Sequence, residues 1–416
     1  MLWQPALPES YTRATPADLA RAIAARRAEL GSKLLILGHH YQTDQVIAHA
    51  DITGDSLKLS QAAAERIAAS GAKFVIFLGV HFMAETADML TPDSVAVILP
   101  DLSAGCSMAD MADYDEAVAA WEALTGELKK QKFKGRIIPV TYINSSAAIK
   151  AFVGERGGAV CTSSNAASVL QWALAGGEQP LKAGESVKVL FLPDQHLGRN
   201  TAAQLGMDVT TATALYDPRR TAKGEALGGM TATQLKAAQV LLWAGHCSVH
   251  KLFRPEHCRQ IREDEAARKV PVAERTTILV HPECAKEVVD LADLAGSTEF
   301  IIRTIAQAKP GSSWAVGTET HLVNRLTASA AARGVKVRIL SDCQCLCTTM
   351  YRIDQPHLLW VLDNLAQGKV VNRITVHPEA RRLALLALER MLKLSAGKQA
   401  PAVKDSTRFP EPVSVD

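Results

Sequence analysis

Lys33-Leu34-Leu35-Ile36-Leu37-Gly38-His39-His40-Tyr41-Gln42 is an apolar run that stops at a glycine and opens into polar side chains. An unbroken apolar stretch this short fits a strand buried on both faces, as in a parallel sheet. The residues that follow support that reading. Ser56–Ala69 repeats apolar positions at helical spacing, Lys73–Val80 is a second apolar run, Phe82–Leu90 a second helix, and Ser94–Leu99 a third strand before Cys106. Strands alternating with helical patterns predict βαβ units.

The same order recurs twice. Strands are expected at Arg136–Ile143, Gly158–Thr162, Ser186–Leu192 and Val240–Ala244, with helices at Ala147–Val153 and Ala166–Ala175, and then comes Cys247. A third pass has strands at Thr276–Val280, Ser313–Val316 and Val335–Leu340 and helices at Ala285–Leu294, Glu299–Ile305 and His321–Ala331, ahead of Cys343, Cys345 and Cys347. The pattern predicts an α/β chain of three topologically similar parallel-sheet domains over residues 20–130, 131–265 and 266–350. Residues 351–416 are expected to pack back on the core, with a helix at Pro378–Leu394 and a loose end over Ala400–Asp416. Loops at the carboxyl ends of parallel strands form the functional rim of open α/β sheets. Three facing rims would bring three distant cysteines together.

Composition narrows the function classes. The chain has 416 residues, 48% hydrophobic and 21% charged, enough for a packed core and too apolar for wholesale disorder. Its 46 basic residues nearly balance 43 acidic ones, a net charge of +3, which argues against a nucleic-acid footprint or a membrane-surface anchor. Apolar runs such as Leu34–Leu37 are far short of a transmembrane span. Met1 to Asp18 lacks the basic-then-apolar plan of a secretory signal. A cytoplasmic location is expected, and with it eight reduced cysteines rather than a disulfide framework.

The loops after the strands carry the chemistry. His39, His40 and Tyr41 follow the first strand, and Gly54-Asp55-Ser56 opens a helix. Tyr142-Ile143-Asn144-Ser145 and Thr162-Ser163-Ser164-Asn165 belong to the second unit, and His281-Pro282-Glu283-Cys284 and Gly296-Ser297-Thr298 to the third. Hydroxyls and N–H groups at helix starts suit anionic oxygens, although helix capping alone also explains residues such as Ser56 and Thr298. Neither G-x-G-x-x-G nor G-x-x-x-x-G-K-[ST] occurs, so the usual nucleotide fingerprints are missing. Three thiolates without a fourth would leave one iron of a [4Fe–4S] cluster open as a Lewis acid.

Gly38-His39-His40-Tyr41-Gln42, Gly54-Asp55-Ser56-Leu57, Gly79 to Ala87, Tyr142-Ile143-Asn144-Ser145, Gly245-His246-Cys247-Ser248-Val249-His250 and Val280 to Cys284 together resemble the signature of the quinolinate synthase family. The likeness runs in order from about Leu34 to about Met350. It implies three homologous domains in a pseudo-threefold triangle around a [4Fe–4S] cluster. It also implies a transferase that condenses iminosuccinate with dihydroxyacetone phosphate to quinolinate in NAD biosynthesis. An aspartate oxidase or aspartate dehydrogenase would supply the iminosuccinate. Carried over by position, the cluster ligands fall on Cys106, Cys247 and one of Cys343, Cys345 and Cys347. The family spacing of cysteine, two residues and methionine fits Cys347-Thr348-Thr349-Met350. Cys161, Cys258 and Cys284 match no ligand position. The substrate-binding positions are His39, Ser56, Tyr142, Ile143, Asn144, Ser163, His281, Pro282, Glu283 and Thr298, with Tyr41 and His39 as proton carriers. Glu283 is expected as general base, or else as a partner that orients His281. The segments Gly154–Gly158 and Asn200–Gln234 read as insertions. Two rival classes stay open: an iron–sulfur sensor or electron carrier, and a mononuclear-metal enzyme.

Overall fold

The computed structural model describes residues 4–67, 70–342, 345–396 and 404–405. Within them lie three five-stranded sheets. The first contains β1 (Leu34–His39), β2 (Ile52–Gly54), β3 (Phe74–Leu78) and β4 (Ala96–Ile98). The second contains β5 (Gly135–Tyr142), β6 (Ala159–Cys161), β7 (Ser186–Leu192), β8 (Thr213–Tyr216) and β9 (Val240–Trp243). The third contains β10 (Thr277–Val280), β11 (Leu294–Ala295), β12 (Ser313–Gly317) and β13 (Lys336–Ile339). These thirteen strands pair in parallel throughout.

Each sheet repeats one plan. Its first strand (β1, β5 or β10) lies between the second strand and the third. The chain therefore leaves the first strand toward one side and returns on the other, which opens a crevice at the strand's carboxyl end. The central strands are buried along almost their whole length, which is why they read as unbroken apolar runs. The cysteine segments follow the strand beyond the third: Cys106 after β4, Cys247 after β9, and Cys345 and Cys347 after β13.

Several expectations are corrected. The helix expected over Ala285–Leu294 runs only from Lys286 to Leu291, and Leu294–Ala295 is instead an edge strand. The chain turns extended at Ala292, and the Asp293 carboxylate accepts from the Ile278 N–H at 2.7 Å, tying this edge to β10. The helix expected over Ser56–Ala69 keeps α-geometry to Ala62 and widens to a π-turn over Ala63–Ile67. The stretch 200–234, read as an insertion, contains β8, which adds a parallel edge strand to the second sheet. A helix with no forecast, Tyr114–Lys130, starts on Asp113, whose carboxylate accepts from the N–H groups of Asp115 and Glu116. Cys343 and most of Ala400–Asp416 lie outside the described residues.

The segment after residue 350 touches all three sheets. Helix Gln355–Ala366 packs on helix Pro16–Leu30. Strand β14 (Arg373–Ile374) then pairs antiparallel with β4. Helix Pro378–Ser395 crosses helix Ala147–Glu155 of the second unit, and β15 (Lys404–Asp405) pairs antiparallel with β11. The helix crossing is backbone on backbone: a Cβ at Gly154 would stand 1.9 Å from the Leu383 carbonyl oxygen. Gly154→Ala is expected to force these helices apart and cost about 1–3 kcal/mol, read as a lower urea midpoint at unchanged slope.

Candidate active site

Loops from all three sheets line one cavity. Beyond each first strand the chain turns, with the Gln42 N–H donating to the His39 carbonyl at 3.1 Å and the Cys284 N–H to the His281 carbonyl at 3.0 Å. His39 and Tyr41, Tyr142 and Asn144, and His281 and Glu283 enter the cavity from three directions. His39 Nδ1 accepts from the Tyr41 N–H at 3.2 Å, and His281 Nδ1 accepts from the Glu283 N–H at 3.3 Å. With Nδ1 occupied as an acceptor, the ring proton of each neutral imidazole sits on Nε2 as a donor. Burial pushes both imidazoles down to about 3. Asn144 also brings an acceptor, since its buried Oδ1 has no partner among the described residues.

Ser56, Ser163 and Thr298 line the same cavity. Capping does not explain Ser56 and Thr298, because the caps are one residue earlier. Asp55 accepts from the Lys58 N–H at 3.0 Å and Ser297 from the Phe300 N–H at 3.3 Å. The hydroxyls at the first helical residue are thereby left to the cavity. Ser163 is not at a helix start: it lies in the turn closed by the Thr162 N–H on Asn165 Oδ1, before helix Ala166–Leu174. Ile143 and Pro282 do not line the cavity. Ile143 is buried in the core, and the Pro282 carbonyl accepts from Asn200 Nδ2 at 2.8 Å.

Cys106, Cys247 and Cys347 line the cavity too, and each sits in the same local turn. A single turn of 3-10 helix begins three residues later in every case, at Ala109, His250 and Met350. The carbonyl of each cysteine accepts from the N–H four residues on, at 3.1 Å in all three. Backbone N–H groups of Met108 and Ala109, of His250, and of Thr349 and Met350 point at the respective sulfurs. Burial pushes the Cys106 thiol up to about 12 and raises the other two. Three bare thiolates would not coexist here, whereas three thiolates bound to iron would have both a compensating cation and N–H donors. Cys345 turns away from the cavity, 3.2 Å from Ser341 Oγ and packed with Cys258 and Cys284. Cys161 is buried in β6.

A hydrogen-bonded chain crosses the site. The Tyr142 hydroxyl donates to Glu283 Oε1 at 2.5 Å, and His250 Nδ1 lies 2.7 Å from Glu283 Oε2. His250 Nε2 is 3.2 Å from Thr318 Oγ1, which is 3.0 Å from the Tyr41 hydroxyl, itself 3.2 Å from Thr298 Oγ1. Burial opposes the charge on Glu283, but His250 and His281, with hydrogen bonds from His250 and Tyr142, outweigh it. They hold the carboxyl below the usual carboxylate range. Burial keeps both phenols protonated, well above their ordinary range.

Comparison with known proteins shows the family. The family model described as Quinolinate synthetase A protein matches residues 21–393. The chain is 50% identical over 372 residues to the quinolinate synthase of Acidobacterium capsulatum, covering 89% of this chain and 92% of that one. The chain belongs to the quinolinate synthase family. The quinolinate synthase of a Nocardioides species is 52% identical over 380 residues, or 91% of this chain and 90% of its own. That of Streptomyces coelicolor is 48% identical over 378 residues, 91% and 88% of the two chains.

Reading the sequence of this quinolinate synthase family member missed His250 and Thr318. His250 is the third residue after Cys247, inside a motif that carried the resemblance, and its role emerges only from its contact with Glu283. Thr318 follows β12 as Tyr41 follows β1, with no motif around it. Orientation of His281 by the Glu283 carboxylate is the weaker contact, at 3.9 Å, because His281 Nδ1 already takes the Glu283 N–H. Among the described residues, no helix is long and apolar enough to cross a membrane.

The depressed histidines lead to a pH prediction. An imidazole that protonates near 3 keeps one charge state throughout the neutral range. His39→Asn is therefore expected to lower kcat/KM by the same factor at about pH 5.5 and about pH 8. A loss confined to the alkaline end would mean that His39 protonates near its ordinary value.

Proposed function

We propose that this chain condenses iminosuccinate with dihydroxyacetone phosphate to give quinolinate, phosphate and two waters, as a cytoplasmic step of NAD biosynthesis. The carrying observation is that Cys106, Cys247 and Cys347, in three identical turns, share one cavity with His39, His281, Ser56, Ser163 and Thr298. In this reading the cysteines would hold a [4Fe–4S] cluster, which would supply Lewis acidity to the reaction. The units 20–130, 131–265 and 266–350 each contribute one ligand, with 351–416 folded back on them. An aspartate oxidase or dehydrogenase supplies the unstable imine.

The chain's own residues bind and move protons. His39 and His281 each offer an Nε2–H, and Ser56, Ser163 and Thr298 their hydroxyls, to carboxylate and phosphate oxygens. Asn144 Oδ1 accepts from the substrate's N–H. Tyr41 stands at the cavity end of the chain that runs through Thr318 to His250. A proton lifted from substrate comes to rest on His250, where the Glu283 carboxylate 2.7 Å away stabilises the imidazolium. Glu283 thus supports the base without being strongly basic itself.

The rivals fit less well. Cys247, His250 and Glu283 bring donor atoms within 4.8 Å of one another, which would suit a single cation. Both ring nitrogens of His250 and both Glu283 oxygens are already hydrogen-bonded, so a mononuclear site would have to break that network. A saturated electron-transfer cluster needs a fourth ligand, and among the described residues no fourth cysteine lines the cavity. The decisive experiment is anaerobic turnover of reconstituted protein with freshly generated iminosuccinate and dihydroxyacetone phosphate. Quinolinate formation that needs the cluster supports the proposal. A protein with about four irons per chain and no product would sink it.

A further inference from the structure

The repeat in the sheets extends to a feature outside the substrate-facing residues. The register pairs Gly38 with Leu78, Thr141 with Leu192 and Val280 with Gly317. From those third strands, helices begin three residues later in each unit, at His81, Gln195 and Thr320. The fifth or sixth residue of each helix is polar: Glu85, Asn200 and Arg325. Asn200 and Arg325 reach out of their own units to the loop after the first strand of another, and Glu85 reaches Ala147, the first residue of the helix that follows such a loop.

Arg325 donates to the carbonyls of His40 and Gln42, the latter at 2.8 Å. Asn200 Nδ2 donates to the carbonyls of Pro282 and Cys284, at 2.8 and 2.9 Å. In both loops the held carbonyls lie one and three residues beyond the cavity histidine. The second loop meets the same need differently, because a glutamate has no proton to give. Lys150 donates to the Ser145 carbonyl, three residues beyond Tyr142. Glu85 accepts from the Ala147 N–H at 3.0 Å and favours the charge on Lys150. The contacts run in a ring: first unit on second, second on third, third on first.

The alternation gives the ring its consequence. Residues 39 and 41, 142 and 144, and 281 and 283 face the cavity, while the held carbonyls belong to the residues next to them, 40 and 42, 145, and 282 and 284. Fixing those carbonyls fixes the register in which the working side chains emerge. Asn200 is 2% exposed and keeps an unpartnered Oδ1 among the described residues, a penalty that an apolar packing residue would avoid. We propose that Glu85, Asn200 and Arg325 are a cyclic set of positioning residues, each setting the geometry of a neighbouring unit's substrate loop. The proposal rests on the reading of this cavity as the active site.

The test uses full-length, cluster-loaded protein carrying Asn200→Ala, Asn200→Asp, Arg325→Ala or Arg325→Lys. The alanine variants are expected to lose on the order of ten- to a hundredfold in kcat, with a smaller change in KM and unchanged iron per chain. Asn200→Asp should be worse than Asn200→Ala, because a carboxylate would face two carbonyls. Arg325→Lys should recover part of the Arg325→Ala loss. Amide exchange should quicken at His281, Glu283 and Cys284 in Asn200→Ala and at residues 39–42 in Arg325→Ala, each variant sparing the other's loop. Parental kcat and KM in both alanine variants would overturn the proposal, as would losses that merely track iron content or global unfolding. If the unmutated, iron-loaded protein makes no quinolinate, the functional proposal fails, while the loop-specific exchange still decides the clamp.

Discussion

Cys347→Ser is expected to yield a folded protein that holds little iron and makes no detectable quinolinate, while Cys345→Ser keeps both. The two thiols are two residues apart and differ in everything around them. Cys347 opens a turn shared with Cys106 and Cys247, has backbone N–H groups aimed at its sulfur, and faces the cavity. Cys345 points into an apolar cluster beside Ser341. A serine hydroxyl cannot replace a soft thiolate on iron, so the loss should be close to complete rather than graded. Cys106→Ser and Cys247→Ser should behave like Cys347→Ser. Iron and sulfide analysis of anaerobically purified variants is the measurement. Full iron in Cys347→Ser would place the third ligand elsewhere.

Glu283→Gln is expected to retain the cluster and bind substrate, yet lose about 10²–10⁴ in turnover, the usual range for general acid–base groups. The amide keeps the shape but presents an NH₂ where the carboxylate accepted from either Tyr142 or His250. It also removes the negative charge that faces His250 Nδ1 at 2.7 Å. kcat should therefore fall far more than KM changes. Single-turnover kinetics with iron content measured on the same samples would show this. Turnover at the parental rate would reduce Glu283 to a structural neighbour.

Much of the architecture was legible because long buried strands announce themselves. β1, β3, β5, β7 and β10 are mainly apolar strands of four to eight residues. β2 and β11, with three and two residues, carry too little pattern to be seen, and the helix forecast ran over the second of them. The cysteines were read through the family resemblance, and the structure supplies the physical content of the C-x-x-M spacing as a cysteine three residues before a single helical turn. The chain from Glu283 to Tyr41 was illegible for another reason. His250 and Thr318 are 68 residues apart, and no local periodicity records that they meet. Ser56 and Thr298 were ambiguous between capping and binding until Asp55 and Ser297 were seen to do the capping.

The strap after residue 350 has a consequence for the order of events at the ribosome. Synthesis delivers the three parallel sheets and every cavity-lining cysteine before it delivers the helix that crosses Gly154 and the strands that pair with β4 and β11. Domains generally fold as they emerge, N-terminal first, so each rim forms before this last segment reaches it. The final stretch of chain, reaching the units in turn, adds a further tie to the contacts that Glu85, Asn200 and Arg325 make between them. A nascent chain arrested near Met350 would carry every thiol that lines the cavity and would lack only this last tie across the three sheets.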